Sequence, residues 1–503
     1  MLQEEITLQE QLPIGTDERG EIIFFSESER GHAVLVGGTT ANRRGVLMRQ
    51  AQSVQSAGIP VLMTDTHGSL AGLALQVPAT LWDLQGVSGL PLRTTVTELG
   101  PLLTAHLLGL NEEQANLLLI AFKAADDHGL LLIDAKDLKA LLNELAAHSQ
   151  EYEEEYGSFD RRDLAAIVSR IVLLEANGSD TYLFEPAIDV HDFLKPGEAA
   201  QSRIHLLDTR NQEDDKTLYA CYLLFLLGEF YETLPDIPEE DPLRLVILMD
   251  EAQLMLSDLP DALLRRLRQL MERLPDKGIS ICLSVPSVSD IPSHIAGQIT
   301  NCMQVIQPDQ IIWSACESKG LFSCETWEAA ESILKIELLP LPESTALSSY
   351  ERTEMIREDP LHEKYKIPFD RDSAYEFLKR RGLTTDEDPR EAPEKVPDHA
   401  SNPENDGRES GDAAESAPDE ATDAADAAAG SESGTKSGTS DSMQKMAKRA
   451  RTSAKSLGNT VAGTVGRQVG KKIGSSFGDF GETLGGNIGA SLGRGIINTL
   501  FTT

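Results

Sequence analysis

An apolar run that ends in two carboxylates places the strongest constraint on the fold of this chain. Leu245-Val-Ile-Leu-Met249 is typical of a buried strand, and Asp250 and Glu251 follow it directly. This arrangement is typical of the second half of a P-loop nucleotide site. In such a site the Asp holds Mg²⁺ through water, and the Glu polarises the attacking water. The strand therefore predicts an α/β fold in which one half of a nucleotide site is complete.

The first half of that site is altered. A P-loop reads G-x-x-x-x-G-K-[ST] and lies in the turn between the first core strand and the following helix. Here the strand His32-Ala-Val-Leu-Val36 leads into that turn. The candidate loop positions are Gly37, Gly38, Thr39, Thr40, Ala41, Asn42, Arg43 and Arg44. The first glycine is present, but the second glycine, the lysine and the Ser/Thr are replaced.

Length and composition indicate a folded protein of several parts. The 503 residues are 40% apolar, which is ample for the cores of two or three domains. Five scattered cysteines without metal-ligand spacing favour a reducing cytoplasm. The first residues show no basic segment followed by an apolar stretch, so we expect a cytoplasmic protein without an export signal. The most apolar window, residues 218–227, is too short to span a bilayer.

Negative charge is distributed unevenly along the chain. The net charge of −36 divides into −30 for residues 1–383, −13 for residues 384–442 and +7 for residues 443–503. A strongly acidic body repels the phosphate backbone of nucleic acids. DNA is therefore a possible partner that the charge disfavours.

The order of apolar runs predicts five segments. Strands and helices alternate in residues 1–98, and residues 201–383 resume the same pattern. Residues 99–200 between them form a predominantly helical insertion. Residues 384–442 have almost nothing to bury and are typical of a disordered acidic linker. The predicted fold class is α/β, with a parallel P-loop sheet flanked by helices and a glycine-rich helical tail at residues 443–503.

The basic tail carries two rows of glycines at four-residue spacing. The rows are Gly466, Gly470, Gly474 and Gly478, then Gly481, Gly485, Gly489 and Gly493. On a helix, each row forms a smooth stripe that another backbone can approach closely. Three interpretations stay open: packing on itself or a partner, docking on the chain's own domain, and contact with a membrane.

Several strings give a more specific resemblance. They are residues 98–103, 108–112, 125–132 and 134–138; residues 249–254 and 289–292; and residues 370–376 and 444–448. Together with the order of the elements, these strings resemble the bacterial HerA-like P-loop family, within the HerA/FtsK superfamily. The resemblance implies a RecA-like sheet, ATP and Mg²⁺ as cofactors, and relatives that work as hexameric DNA translocases or helicases.

The same resemblance implies that the loop substitutions harm nucleotide chemistry. The family's loop reads G-A-T-G-T-G-K-T, so Thr40 and Asn42 stand where glycines should be. Asn tolerates φ > 0 best among side-chain-bearing residues, so we expect Asn42 to keep the turn but crowd the pocket. Arg43 replaces the lysine with a bulky planar cation. Arg44 replaces the threonine that binds Mg²⁺.

Three further positions depart from the family's pattern. Pro286 replaces a glutamine that can sense the γ-phosphate, and Cys302 replaces a candidate arginine finger. The family's acidic loop D-x-K-G-D is Asp65-Thr-His67-Gly-Ser69 here. An arginine finger alone can contribute about 10³-fold or more to the rate, so we expect negligible hydrolysis. His67 and His106 have no ligand-spaced partners, which favours a structural or surface role.

Two interpretations of each charged pair remain. Asp250 is a doubtful Mg²⁺ ligand, and Glu251 occupies the water-activating position. Together they form either a working site or a remnant of ancestry, and the altered loop favours the remnant. Arg43 and Arg44 either bind an anion at the helix N-terminus or lie in an ordinary solvated first turn. For the arginines we favour the solvated turn.

Three hypotheses of function follow. The first is a pseudo-ATPase that acts as a structural or regulatory subunit of a homo- or hetero-oligomer with an active HerA-like paralogue. The second is a divergent ATPase or DNA translocase that uses Arg43 as its phosphate cation. The third is a scaffold recruited through residues 443–503, with membrane contact as a weaker alternative. ATP and Mg²⁺ are the cofactors of the second hypothesis, and the first needs none.

Overall fold

The strands form one large sheet, and the helices that alternate with them along the chain cover both of its faces. The computed structural model describes residues 11–25, 30–194, 202–210, 216–257, 259–315, 333–342 and 345–380. The predictions of a disordered linker at 384–442 and a helical tail at 443–503 lie outside the described residues.

Twelve strands form the sheet in the part of the chain that the structure describes. They are β1 (Gly15–Asp17), β2 (Ile22–Ile23), β3 (His32–Gly37), β4 (Val61–Asp65), β5 (Ala79–Asp83), β6 (Leu90–Pro91), β7 (Ile204–Asp208), β8 (Leu245–Met249), β9 (Ile279–Val285), β10 (Ile299–Gln307), β11 (Gln310–Ala315) and β12 (Ile333–Leu338). Their order across the sheet is β2-β1-β12-β11-β10-β3-β9-β8-β4-β7-β5-β6. The strands from β10 to β6 are parallel to their neighbours, and β11, β12, β1 and β2 extend the sheet with antiparallel pairs.

The helices are concentrated between β6 and β7 and in the crossovers. They are α1 (Thr40–Ser56), α2 (Val96–Leu107), α3 (Glu112–His128), α4 (Ala135–Ala147), α5 (Ser149–Tyr156), α6 (Arg161–Ala176), α7 (Lys216–Thr233), α8 (Gln253–Leu256), α9 (Asp261–Arg273), α10 (Ser293–Ala296), α11 (Ser349–Glu358), α12 (His362–Tyr365) and α13 (Ala374–Arg380). No helix of the described segments combines the length and the hydrophobicity that crossing a bilayer requires.

Two apolar clusters cover the two faces of the sheet. Strand β3 shows the alternation directly, because Val34 and Val36 join one cluster and Leu35 joins the other. Helix α1 packs on the Leu35 side through Leu47 and Met48. The helices α2–α4, α6, α7 and α9 cover the opposite side. Burial on both faces explains why these strands are almost continuously apolar.

The α/β fold with a large, mostly parallel sheet flanked by helices is confirmed. The strands predicted at residues 32–36 and 245–249 are present within one residue of their predicted ends. The antiparallel extension by β11, β12, β1 and β2 was not predicted, and neither was α5. Helix α1 begins at Thr40, within the candidate loop positions 37–44.

Candidate functional site

The topology brings the altered loop and the carboxylate pair to the same edge of the sheet. The loop follows β3 and the carboxylates follow β8, and only β9 lies between these two strands. All three strands are parallel, so their carboxyl ends point to one edge. Ligands of open α/β sheets bind at this kind of edge.

The loop after β3 is short because its second half has become helix. Gly37 and Gly38 have φ angles of 78° and 59°, in the left-handed region that favours glycine. Thr39 is the N-cap of α1, and its hydroxyl accepts a hydrogen bond from the backbone N–H of Asn42 at 3.2 Å. The Asn42 side chain accepts from the backbone N–H of Thr39 at 3.1 Å, which completes a capping box. The expected turn conformation with φ > 0 at Asn42 was therefore wrong, since Asn42 lies inside the helix.

Several backbone N–H groups of this loop are already engaged. Gly37 donates to the carbonyl of Pro286 at 3.2 Å, and Arg43 donates to the carbonyl of Thr39 at 3.0 Å. The N–H groups of Thr39 and Asn42 are held by the capping box. A working P-loop instead directs its N–H groups at phosphate oxygens. Four donors of this loop have protein acceptors in their place.

The side chain of Arg43 occupies the inside of the loop. Only 2% of the residue is exposed. Its guanidinium donates to Glu251 Oε1 at 2.6 Å and to the Thr40 hydroxyl at 3.3 Å. It also donates to the carbonyls of Gly37 and Gly38 at 3.3 and 3.4 Å. These carbonyl and carboxylate oxygens are arranged around a cation, not around a phosphate group.

The side chain of Arg44 reaches the second carboxylate. Its Nε donates to Asp250 Oδ2 at 3.0 Å, and the Asp250 side chain is fully buried. Its Nη2 contacts Nδ1 of His67, in the loop after β4. Arg44 is 8% exposed. The residue at the Mg²⁺-binding position of the loop therefore supplies a cation to the Mg²⁺-binding carboxylate.

The prediction that Arg43 and Arg44 lie in a solvated first turn was wrong. Both side chains are buried in ion pairs with Glu251 and Asp250. The partners are separated by 208 and 206 residues in sequence, so no local pattern indicates the pairing. The alignment of loop and strand end within a P-loop topology was the one signal that could have suggested it. The contact between His67 and Arg44 was missed for the same reason.

Glu251 adopts an unusual backbone conformation. Its φ of 48° makes it the single residue other than glycine with positive φ in the part of the chain that the structure describes. Gln253, which sequence reasoning missed, donates to Glu251 Oε2 at 2.6 Å. Burial acts to raise the pKa of Glu251, but hydrogen bonds from Gln253 and the charge of Arg43 outweigh it, so the pKa lies below its ordinary value. Strain of this kind is characteristic of functional sites and costs about 1–3 kcal/mol.

Asp250 is more deeply buried than Glu251. Its backbone N–H donates to the Thr64 hydroxyl at 2.9 Å, and its carbonyl accepts from the Thr66 hydroxyl at 3.1 Å. Burial raises the pKa of Asp250 even though Arg44 opposes the shift. Its Oδ1 accepts no hydrogen bond from any described residue. The ion pair with Arg44 is therefore the main compensation for this buried charge.

These residues do not fit a Mg²⁺–nucleotide. Mg²⁺ needs oxygen ligands in octahedral geometry, and the loop position that should supply a hydroxyl carries the Arg44 guanidinium. The oxygens of Asp250 and Glu251 that face the loop are already paired with arginines. The space within the loop holds Arg43. Within the described segments, no group of three or more His, Cys, Asp or Glu side chains is arranged to hold a metal ion.

Comparison with known proteins identifies the family. The model of the family described as "Helicase HerA-like C-terminal" matches residues 10–320 and 328–482. The chain belongs to the HerA-like family. No curated protein matches this HerA-like chain.

Solved structures with a similar fold include two proteins of bacterial origin. VirB4 of Thermoanaerobacter pseudethanolicus is 13% identical over 66% of this chain and 96% of its own, with a TM-score of 0.45. The plasmid coupling protein TrwB, in complex with the non-hydrolysable ATP analogue ADPNP, is 10% identical over 64% of this chain and 88% of its own, with a TM-score of 0.44. These likenesses concern the fold and carry no information about the chemistry of the loop.

The other positions singled out in the sequence do not complete a catalytic site. Pro286 offers its carbonyl to Gly37 and has no side-chain amide. Cys302 is buried inside β10. Asp65 turns back on its own loop and accepts hydrogen bonds from the N–H groups of residues 70 and 71, both at 3.0 Å. His106 lies in α2, and nothing connects it with the loop or the carboxylates.

Proposed function

We propose that this protein is a HerA-like pseudo-ATPase that serves as a structural or regulatory subunit in the cytoplasm. One observation carries the proposal: the loop's own arginines, Arg43 and Arg44, hold Glu251 and Asp250 in ion pairs of 2.6 and 3.0 Å. The residues that would bind Mg²⁺ and activate water are thereby used to stabilise the fold.

The energy of these ion pairs supports the proposal. Leaving one partner of a buried ion pair without its counter-charge costs about 3–5 kcal/mol. A Mg²⁺–nucleotide would have to displace both guanidiniums and then bear their repulsion of the metal ion. Release of Arg43 and Arg44 from these carboxylates therefore adds a cost to nucleotide binding and weakens its affinity.

Glu251 is also poorly suited to activate water. A general base works best when its pKa lies near the working pH. The hydrogen bonds from Gln253 and the charge of Arg43 lower the pKa of Glu251. A carboxylate that is held by two donors and has a lowered pKa is a weaker base than the free side chain.

The proposed partner is an active HerA-like paralogue, with which this chain forms a mixed oligomer. In such an oligomer the pseudo-ATPase contributes surface while its neighbour hydrolyses ATP. The net charge of −36 makes direct binding of DNA unfavourable. Mixing the two purified proteins tests this part, and a mixed assembly with an altered ATPase rate of the paralogue is the expected result. Proteins that elute separately and leave the rate unchanged would exclude this partner.

Calorimetry of ATP binding, with and without Mg²⁺, tests the loss of nucleotide binding on the full chain. We expect no binding by the natural sequence at millimolar ATP. Restoring the family's residues in the variant Arg43→Lys/Arg44→Thr frees Asp250 and Glu251, so this variant should gain weak Mg²⁺-dependent binding.

The matched control is Arg203→Lys, which alters a buried ion pair with Asp359 (3.0 Å) outside the site. This control should gain no binding. Micromolar Mg²⁺-dependent binding by the natural sequence, abolished by Asp250→Ala, would contradict the proposal. It would support the alternative of a divergent ATPase that uses Arg43 as a phosphate cation.

A further inference from the structure

Two of the sequence strings that carry the family resemblance meet in the structure. Residues 134–138 form the start of α4, and residues 370–376 end in the first turn of α13. Helix α13 packs on α4, because Tyr375 and Leu378 are buried in one small apolar cluster with Ala140. This contact fastens α13, the last helix of the described chain, to the helices that follow β6.

Asp137 lies at the centre of this contact and is fully buried. Its Oδ2 accepts hydrogen bonds from the N–H groups of Ile133 and Asp134, at 2.8 and 3.2 Å, where α4 begins. Its Oδ1 accepts from the N–H group of Tyr375 at 2.8 Å, where α13 begins. A single carboxyl group therefore joins the starts of the two helices.

The hydroxyl group of Ser373 contacts two carboxyl groups at once. Its oxygen lies 2.6 Å from Asp137 Oδ1 and also within hydrogen-bonding distance of Glu376 Oε2. A hydroxyl group has one proton, which it can donate to only one of these two oxygens. If both carboxyl groups were ionised, the other contact would bring two oxygens together without a proton between them. A second proton on one of the carboxyl groups satisfies both contacts.

Burial and charge favour Asp137 as the carrier of this proton. Burial and the charge of Asp134 raise the pKa of Asp137 to about 7, although hydrogen bonds from Ser373 and from backbone N–H groups oppose the shift. Burial also acts to raise the pKa of Glu376, but hydrogen bonds from Lys136 and Ser373 outweigh it and lower that pKa to about 2. Glu376 is therefore the ionised partner, and Asp137 is the acid.

The charged side chains around this contact come from both packed elements. On α4 they are Asp134 and Lys136, and on the segment that carries α13 they are Asp370 and Glu376. Lys136 joins the latter two, with Nζ 3.6 Å from Asp370 and 2.8 Å from Glu376. The cation therefore stabilises the ionised form of these two carboxylates, whereas the charge that acts on Asp137 is that of another carboxylate.

We propose that Asp137, Ser373 and Glu376 form a proton-binding clasp that fastens α13 to α4. In the closed clasp the O–H group of Asp137 donates to the Ser373 hydroxyl, and that hydroxyl donates to Glu376. The protonated oxygen keeps a lone pair for the N–H group of Tyr375. When the proton passes to solvent, the buried Asp137 becomes charged and one of the two contacts of Ser373 loses its proton, so α13 is held less tightly. The clasp is independent of the pseudo-ATPase proposal.

The direction of the pH dependence follows from where the proton is bound. Opening of α13 exposes Asp137 to water, so its pKa returns from about 7 towards the ordinary value of 3.8. The docked state therefore binds the proton more tightly than the open state. Docking is strongest at acidic pH and weakens as the pH rises through 7. Between pH 6 and pH 8 the equilibrium constant for opening of α13 should rise about tenfold.

Hydrogen exchange of the full chain at pH 6, 7 and 8 tests the clasp. The measured quantity is the protection factor, which is the intrinsic exchange rate divided by the observed rate and so removes the pH dependence of the exchange chemistry itself. We expect the protection of residues 377–380 to fall about tenfold from pH 6 to pH 8 in the natural sequence. Constant protection over this range would overturn the proposal.

The variant Asp137→Asn separates titration from packing. Asparagine does not titrate, and its amide N–H can still donate to Ser373, but the same group cannot accept from the N–H group of Tyr375. We expect protection of α13 to be lower than in the natural sequence at pH 6, and equal at pH 6 and pH 8. A tenfold change that persists in this variant would assign the titration to another group and overturn the clasp.

The matched control is Asp372→Asn in the same segment. The Asp372 side chain is 71% exposed and forms an ion pair with Arg380 at 2.8 Å. This control should keep the tenfold change, and loss of the change would assign it to Asp372 and overturn the proposal. If Asp137→Asn does not fold, Ser373→Ala takes its place. It removes the acceptor of the Asp137 proton, so the change between pH 6 and pH 8 should shrink, and an undiminished tenfold change would overturn the clasp.

Discussion

Two buried carboxylates at strand ends of the same sheet have their negative charge compensated in different ways. Asp250 after β8 and Asp83 at the end of β5 are both buried carboxylates at the carboxyl edge. Asp83 is satisfied locally, because the N–H groups of Val87 and Ser88 donate to it at 2.7 and 2.8 Å. Asp250 depends on Arg44, 206 residues away. The local carboxylate shapes one turn, whereas the distant pair fastens helix α1 to strand β8.

Asp65 lies between these two extremes. Its Oδ2 accepts hydrogen bonds from the N–H groups of residues 70 and 71, but its Oδ1 has no described donor. Burial and the charges of Asp208 and Asp250 raise the pKa of Asp65 to about 6. Without a cation of its own, a local turn only partly compensates a buried charge.

The largest expected effect comes from breaking the distant pair. Arg44→Ala leaves the fully buried Asp250 side chain without its cation. We expect the free energy of unfolding to fall by about 3–5 kcal/mol. Urea denaturation of the full chain measures this loss. A loss below about 1 kcal/mol would mean that the pair is no more stabilising than a surface ion pair.

The next effect is a pH dependence that arises from Asp65. Its pKa is raised from 3.8 to about 6 in the folded protein, so the folded state binds more protons than the unfolded state between these values. Its contribution to stability is therefore complete below pH 4 and is lost as the pH rises through 6. Relative to Asp65→Asn, which keeps an acceptor for the turn, the natural sequence should lose about 3 kcal/mol over this range.

Denaturation of both proteins at a series of pH values between 3.5 and 7 measures the difference. Parallel stability curves would contradict the raised pKa.

A smaller effect is expected at the local strand end. Asp83→Ala removes three hydrogen bonds from the backbone N–H groups of Gln85, Val87 and Ser88, but Val87 is exposed and water can reach the turn. We expect a loss of about 1–2 kcal/mol. Thermal unfolding measures the change, and Asp83→Asn should recover part of it. A loss as large as that of Arg44→Ala would remove the distinction between local and distant carboxylates.

The smallest effect is expected at an exposed ion pair. Lys123 and Asp127 are about 40% exposed and lie four residues apart on α3. Lys123→Ala should change the free energy of unfolding by at most about 0.5 kcal/mol. The same urea measurement applies, and raised salt should erase even this difference. A larger, salt-independent change would show that exposure does not govern the strength of ion pairs in this chain.

The parallel part of the sheet could be predicted because its signals are local. Apolar runs of three to five residues mark β3, β4 and β8, and each run can be recognised without knowledge of its partner strand. The antiparallel extension could not be predicted in the same way. Strand β1 pairs with β12, more than 300 residues later, and β1 and β2 contain only three and two residues. Short strands of this kind depend on their distant partner for their order.

The candidate site was predicted only in part for the same reason. The positions of Asp250, Glu251 and the loop were deduced from the motif, and the topology does bring them to one edge. The ion pairs of these carboxylates with Arg43 and Arg44 were not deduced. Burial of the two arginines depends on the approach of two segments more than 200 residues apart. The capping box between Thr39 and Asn42 is local, and its pattern was present in the sequence but obscured by the P-loop alignment.

The pseudo-ATPase proposal depends on the ion pairs between the arginines of the loop and the carboxylates that follow β8. A double-mutant cycle with Arg44→Met, Asp250→Leu and the combined variant tests it most directly, by urea denaturation of the full chain. We expect the double variant to be less destabilised than the sum of the single variants by about 2–3 kcal/mol, because each single change leaves a buried charge unpaired. Additivity within about 0.5 kcal/mol would contradict the pairing of Arg44 with Asp250 and would leave Asp250 available as a Mg²⁺ ligand.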